Sequence, residues 1–105
     1  MMLEEWEKWA DKLNNLIAEW LENETEKTPD GYRCKRCGAT IMARKVYAPI
    51  HDYYTLFHKH AGGGKVHTFI VPECPTKECP NHKPSFWKHG LYESGTTLYA
   101  PCIDM

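Results

Sequence analysis

The sequence predicts an α+β fold: one N-terminal amphipathic helix, a β-hairpin and a C-terminal β extension. Three observations lead there. Apolar residues recur at helical spacing over 2–23, segments rich in β-branched and aromatic residues follow at 40–47 and 65–71, and a pair of closely spaced cysteines stands outside each of those segments. A chain of 105 residues has room for one modest core and not for two. With 42% hydrophobic residues, 26% charged residues and a formal net charge of -1, it is neither a disordered chain nor a strongly basic one. The apolar runs fall far short of the roughly 20 residues that span a bilayer, and the opening MMLEEWEKW is acidic where a secretory signal is basic. The expectation is an intracellular, cytoplasmic protein with no membrane association, in a reducing compartment where paired cysteines ligate metal rather than form disulfides. The lack of Gln and the scarcity of Asn suit a thermophilic source, in which thermolabile amides are depleted.

Steps of about 100° per residue put Leu3, Trp6, Trp9, Ala10, Leu13, Leu16, Ile17, Trp20 and Leu21 on one stripe of a helix. Glu4, Lys8, Asp11, Asn15, Glu19 and Glu22 lie opposite. The stripe is about 140° wide, broader than a coiled-coil seam, and holds three of the four tryptophans. Such a face must be covered, either by the rest of the chain or by something else. In the second case the helix over 2–23 makes a homodimer or docks in a partner's groove, with Trp6, Trp9, Leu13 and Trp20 as partner-binding residues. Acids near the helix start suit its dipole and the glutamates at its end do not, so fraying is expected after Leu21.

The segment NETEKTPDG, residues 23–31, reads as a linker closed by a Pro29-Asp30-Gly31 turn. The expected organisation is therefore a helix over 1–24, a linker over 25–31 and a second region over 32–105. Residues 1–26 carry eight acids and two bases, and residues 27–105 carry eleven bases and six acids. An acidic appendage on a basic, nucleic-acid-binding body has this asymmetry, and so do two segments that each have a solvated face. Thr40 to Tyr47 and Lys65 to Val71 are expected to pair as antiparallel strands, and Ser85 to Tyr92 with Thr96 to Ala100 as a further hairpin turning at Glu93-Ser94-Gly95.

The chemistry centres on cysteines. Cys34-Lys35-Arg36-Cys37-Gly38 is a CxxCG knuckle, in which two intervening residues let the backbone fold around a tetrahedral ion and the glycine relieves crowding. Cys74 and Cys79 form a looser second pair, and strands between the pairs would bring both to one end of a hairpin, the architecture of a zinc ribbon. One structural Zn2+ on Cys34, Cys37, Cys74 and Cys79 is the expected cofactor. His82, three residues after Cys79, is an alternate ligand in place of Cys74. A redox CxxC would need a strand feeding a helix, whereas Gly38 and a β-like stretch follow Cys37, and iron–sulfur ligation remains a competitor. Arg33, Lys35, Arg36, Lys77 and Lys83 would offset the negative charge of four thiolates on one ion. Cys102 reads as a small buried hydrophobe, and His51 and His67 as packing histidines.

The stretch YRCKRCGATI, then YAPIHD, then GGGKVHTFIVPECP resembles small zinc-ribbon proteins of archaea and archaeal viruses, with the pattern CxxCG, PIHD, GxGxV, VPxCPxC. The likeness covers residues 32–80. It departs in the wider Cys74 to Cys79 spacing and in an inserted Tyr53 to His60. The second knuckle is also similar to that in the zinc finger of NAD-dependent DNA ligases. The resemblance implies a zinc-ribbon fold and a metal, in an archaeal or viral protein; those relatives are mostly without an assigned activity.

HDYYTLFHKH, residues 51–60, concentrates histidines and aromatics among lysines, as single-stranded nucleic-acid surfaces do. Tyr53, Tyr54, Phe57, Lys59, Lys65 and Lys45 are the expected nucleic-acid-binding residues; a small core that folds the loop back on the ribbon is the competing reading. The expected function is non-catalytic: binding nucleic acid or sitting in a nucleoprotein assembly. The alternative is a protein–protein adaptor, or a viral host-takeover factor, acting through the Trp-rich helix. An HNH-like metal-dependent nuclease is a second alternative, with His51 activating water and Asp52 and His82 holding a cation.

Overall fold

The computed structural model describes residues 1–51 and 65–104. Its helix, α1 (Leu3–Glu24), follows the apolar periodicity, and its buried residues are Trp6, Trp9, Leu13 and Trp20. Trp6 meets His67 edge-on at 5.4 Å and Phe69 at 6.2 Å, Trp9 stacks on His89 at 5.6 Å, and Trp20 meets Phe86 edge-on at 5.6 Å. The indole N–H of Trp6 donates to the Pro101 carbonyl at 3.1 Å, and that of Trp9 donates to the His89 carbonyl. For Trp6 and Trp9, both the apolar bodies and the polar tips of the rings are thus satisfied within the chain. The assignment of Trp6, Trp9, Leu13 and Trp20 to a partner is corrected accordingly, because they are buried within the chain, against its own sheet and the segment from Phe86 to His89.

The helix also runs past the expected fraying point to Glu24. Its last glutamate has tertiary partners: Arg36 Nε donates to Glu24 Oε2 at 3.0 Å and Asn81 Nδ2 reaches the same oxygen at 3.4 Å. Two side-chain donors outweigh an unfavourable helix dipole. The expected linker is a β-hairpin instead, β1 (Thr25–Thr28) and β2 (Gly31–Cys34), paired from Thr25↔Cys34 to Thr28↔Gly31 around Pro29 and Asp30. The Thr-Glu-Lys-Thr strand lacks apolar alternation, so it reads as linker in sequence.

The main sheet is mixed. β3 (Met42–His51) and β4 (Lys65–Glu73) pair antiparallel in unbroken register from Met42↔Glu73 to Ile50↔Lys65. β5 (Tyr92–Ser94) and β6 (Thr97–Tyr99) form a short hairpin, and β6 lies parallel to β3 with Tyr47 opposite Tyr99. The last strand, β7 (Ile103–Asp104), is also parallel to β3, with His51 opposite Asp104. The strand order is β4-β3-β6-β5. The expected strand from Ser85 is corrected: Ser85–Lys88 is a 3-10 turn that buries Phe86 and Trp87.

Alternation along β3 sorts the sheet into two faces. Val46 and Ala48, both 0% exposed, join Leu98, Ala100, Ile103 and Val71 beneath the helix tryptophans as one apolar core. Gly90, at φ +97°, lets the chain pass Trp9, since a Cβ there would lie 3.0 Å from Trp9 Nε1. Lys45 and Tyr47 project from the opposite face. Among the described residues no helix is long and apolar enough to cross a membrane.

Candidate metal centre

Cys34 ends β2, and the chain then turns back on itself. The Cys34 N–H donates to the Ala39 carbonyl at 2.8 Å and the Ile41 N–H to the Tyr32 carbonyl at 2.9 Å, which closes a narrow loop with the CxxC at its tip. Inside it the Gly38 N–H donates to the Cys34 carbonyl at 2.9 Å, with Gly38 at φ +77°, where an L side chain is strained. Cys74 directly follows β4, and Cys79 precedes a 3-10 turn at Pro80–His82. Because Met42 starts β3 opposite Glu73 at the end of β4, the hairpin delivers both cysteine pairs to one end of the sheet.

There the four Sγ atoms of Cys34, Cys37, Cys74 and Cys79 lie within 4.8 Å of one another. The two short separations cross between the pairs: 3.7 Å for Cys34 to Cys79 and 3.3 Å for Cys37 to Cys74. Both are far longer than the ~2.05 Å of a disulfide. Sulfurs at the corners of a tetrahedron with metal–sulfur bonds of ~2.3 Å stand ~3.8 Å apart, so these four sulfurs can hold one metal ion. Three of them are buried and Cys37 is exposed.

Their environments differ. The Thr76 hydroxyl, 3.3 Å from Cys37 Sγ, together with the Ala39 N–H and the Cys74 thiol holds the Cys37 thiol down at about 6. Burial opposes ionisation of Cys34, but hydrogen bonds from Asn81 Nδ2, at 3.3 Å, and from the backbone N–H groups of Cys37 and Arg36 outweigh it and lower its pKa. Burial pushes Cys74 up to about 12 and raises Cys79 as well. The first pair is thus easier to ionise than the second, whose desolvation a bound cation would offset.

Asn81 was not among the expected site residues. It is buried, and its amide links the Cys34 sulfur to Glu24 at the end of α1. The Cys79-Pro80-Asn81 sequence hints at it, since a polar residue just behind a cysteine ligand is placed to donate to the sulfur. His82 is corrected as an alternate ligand. The 3-10 turn directs its Nδ1 to the Cys74 carbonyl, 2.9 Å away, and within 3.6 Å of Glu73 Oε1, and it does not join the sulfur cluster.

Tyr53, Tyr54, Phe57 and Lys59 lie outside the described residues, as does Asp52. Lys45 and Lys65 are not brought together: Lys65 is opposite Ile50, on the helix side of the sheet, whereas Lys45 is on the other side. The nuclease constellation is likewise not assembled, because His51 ends β3 while His82 sits beside the cysteines at its start, on the order of 30 Å of strand away. His67 packs on Trp6, as expected.

The outer face carries a feature the sequence did not reveal. Tyr92, Tyr99, Tyr47 and Thr68 are successive register partners across four strands. The Tyr92 and Tyr99 rings stack at 5.4 Å, Tyr47 follows at 6.4 Å, and Lys45 Nζ lies 5.8 Å from the Tyr47 ring centre. A shallow groove beside the row is lined by Tyr47, Pro49, Val66, Thr97 and Tyr99. No protein-family model, no curated protein and no solved structure matches the chain.

Proposed function

We propose that the chain is a non-catalytic zinc-ribbon protein, in which one structural Zn2+ on Cys34, Cys37, Cys74 and Cys79 holds the cysteine end and the outer sheet face binds single-stranded nucleic acid. Four sulfurs within 4.8 Å of one another support the choice of zinc, and a full set of protein ligands leaves no position for substrate, so the ion serves folding. The observation that carries the binding role is the tyrosine row. Successive aromatic faces accept bases of any sequence by stacking, and Lys45 beside them supplies a charge for phosphate. Among the described residues no helix covers this side, where Tyr92 is 53% exposed and Val66 51% exposed.

The test is a titration of the zinc-loaded chain against mixed single-stranded DNA and RNA at low and high salt. Binding should weaken with salt, and Tyr99→Ala or Tyr92→Ala should each cost about 1–3 kcal/mol of affinity. Lys45→Ala should reduce the salt slope by about 0.7. Absence of binding at low salt, or tyrosine variants that bind as the parent does, overturns the binding role. Elemental analysis that finds no zinc in the purified protein overturns the metal assignment.

A further inference from the structure

At the end of β3 farthest from the cysteine cluster, three side chains of different chemistry converge. His51 and Asp104 are direct register partners on the parallel strands β3 and β7, so they project from the same face of the sheet. Cys102 precedes Asp104 by two residues and shares that face, while Ile103 between them points inward and is 3% exposed. Burial of Ile103 therefore aims its two neighbours outward. One imidazole nitrogen, the Cys102 sulfur and one Asp104 oxygen all lie within 4.8 Å of one another. Cys102, expected to be a buried apolar residue, is only half-buried, and His51 is exposed.

We propose that His51, Cys102 and Asp104 form a second metal site, which takes a borderline divalent cation such as Zn2+ and leaves one coordination position open. Imidazole, thiolate and carboxylate are the three donor types that zinc accepts, and a site with three protein ligands keeps its fourth position for water or another small ligand. Asp104 is already oriented for the task. The Met1 ammonium holds its Oδ2 at 2.6 Å, and Oδ1 is turned to the Cys102 sulfur at 3.9 Å. Donors around an ion with bonds of about 2.0–2.3 Å stand roughly 3.3–3.8 Å apart. Closure by about an ångström is within reach of side-chain rotation, because His51 is exposed and Asp104 half-buried. The strand backbones need not move.

This site differs from the cysteine cluster in every respect that sets metal behaviour. It has one sulfur instead of four, lies at the surface, and is not closed. It is therefore the weaker and the more exchangeable of the two, and its open position suits a small anion or a water.

The experiment is a Co2+ titration of the tag-free 105-residue chain, followed by elemental analysis of the Zn2+-saturated protein. Two equivalents are expected. The second should carry a sulfur-to-cobalt charge-transfer band about a quarter as intense as the first, since it contains one thiolate. Cys102→Ser and His51→Ala should each weaken the second equivalent at least tenfold, with the first equivalent and the tryptophan fluorescence unchanged. One equivalent only, lost on Cys34→Ser and kept in both variants, overturns the proposal and leaves the four-cysteine site standing. One equivalent that is lost on Cys102→Ser and kept on Cys34→Ser supports this site and removes the other. A second equivalent that persists in Cys102→Ser and in His51→Ala also overturns it.

Discussion

The described residues form two buried clusters, and the two work by different physics. Under α1, the tryptophans and Leu13 pack on Val46, Ala48, Val71, Leu98, Ala100 and Ile103. At the cysteine end, Cys34, Cys74 and Cys79 are buried, with the partly buried apolar side chains of Ala39 and Ile41 packed against them. The first cluster is stabilised by removing apolar surface from water. The second buries thiols beside a polar amide, and its members gain little from burial until a cation pairs with them. Ile41 packs against both clusters and is where they meet. The chain therefore joins an apolar core to a thiol-lined end whose four sulfurs can hold an ion.

The largest effect should come from metal removal. Structural zinc sites contribute on the order of 10 kcal/mol of apparent binding free energy. Chelation, or Cys74→Ser, should melt β1, β2 and the cysteine loops while α1 stays packed on the main sheet. Hydrogen exchange on the metal-free protein checks this, and simultaneous loss of protection in α1 would mean that the two clusters are one cooperative unit.

Next in size are truncations within the apolar cluster. Leu13→Ala should cost about 2–5 kcal/mol and Trp20→Ala about 3–5 kcal/mol, from lost transfer free energy and the cavities left behind. Both should retain their metal below the lowered melting temperature, as elemental analysis of the folded variants would report. Loss of metal from a still-folded Leu13→Ala protein would contradict the separation of the clusters.

Gly90→Ala comes third. A methyl group there meets Trp9 Nε1 at 3.0 Å and Pro101 Cγ at 3.3 Å, on a backbone already at φ +97°. A loss of about 1–3 kcal/mol is expected in thermal unfolding, from backbone strain and overpacking together.

The smallest effect belongs to Glu24, which ties the helix end to the cysteine cluster. Its pKa is held below the usual carboxylate value of 4.5, chiefly by the hydrogen bond from Arg36 and also by that from Asn81. A carboxyl with a depressed folded pKa contributes stability that is present above its unfolded value and is lost as the pH falls through the folded one. Glu24→Gln should therefore be less stable than the parent at pH 7, and the gap should narrow below about pH 4.5. A gap that is constant between pH 7 and pH 3 would show that Glu24 acts through packing instead.

Much of this was legible in the sequence because it is local. The helix follows from Leu3 to Leu21 at steps of three and four, and the cysteine pairs follow from short spacings with Gly38 behind the first. β3 and β4 announce themselves through Val, Ile, Thr and aromatic residues. The β1–β2 hairpin was missed because its Thr, Glu and Lys residues carry no apolar alternation, and Phe86 and Trp87 were misread as strand because aromatic content alone does not separate a strand from a buried 3-10 turn.

Amino-acid order by itself determined which residues must be covered and which four cysteines are placed to share an ion, since periodicity and spacing act over a few residues. Tertiary structure alone decided that the helix is covered by its own chain, that Asn81 and not His82 faces the cysteine cluster, and that Tyr92, Tyr99 and Tyr47 align across the sheet. It also decided that His51 meets Cys102 and Asp104. Apart from the Tyr92–Tyr99 pair of a local hairpin, these meetings join residues about fifty positions apart, or more in the case of the helix, and the sheet meetings are set by the register of parallel and antiparallel strands. Register is fixed by the packing of a whole sheet face at once, because a slip of one residue would turn Val46 and Ala48 out of the core and Tyr47 into it.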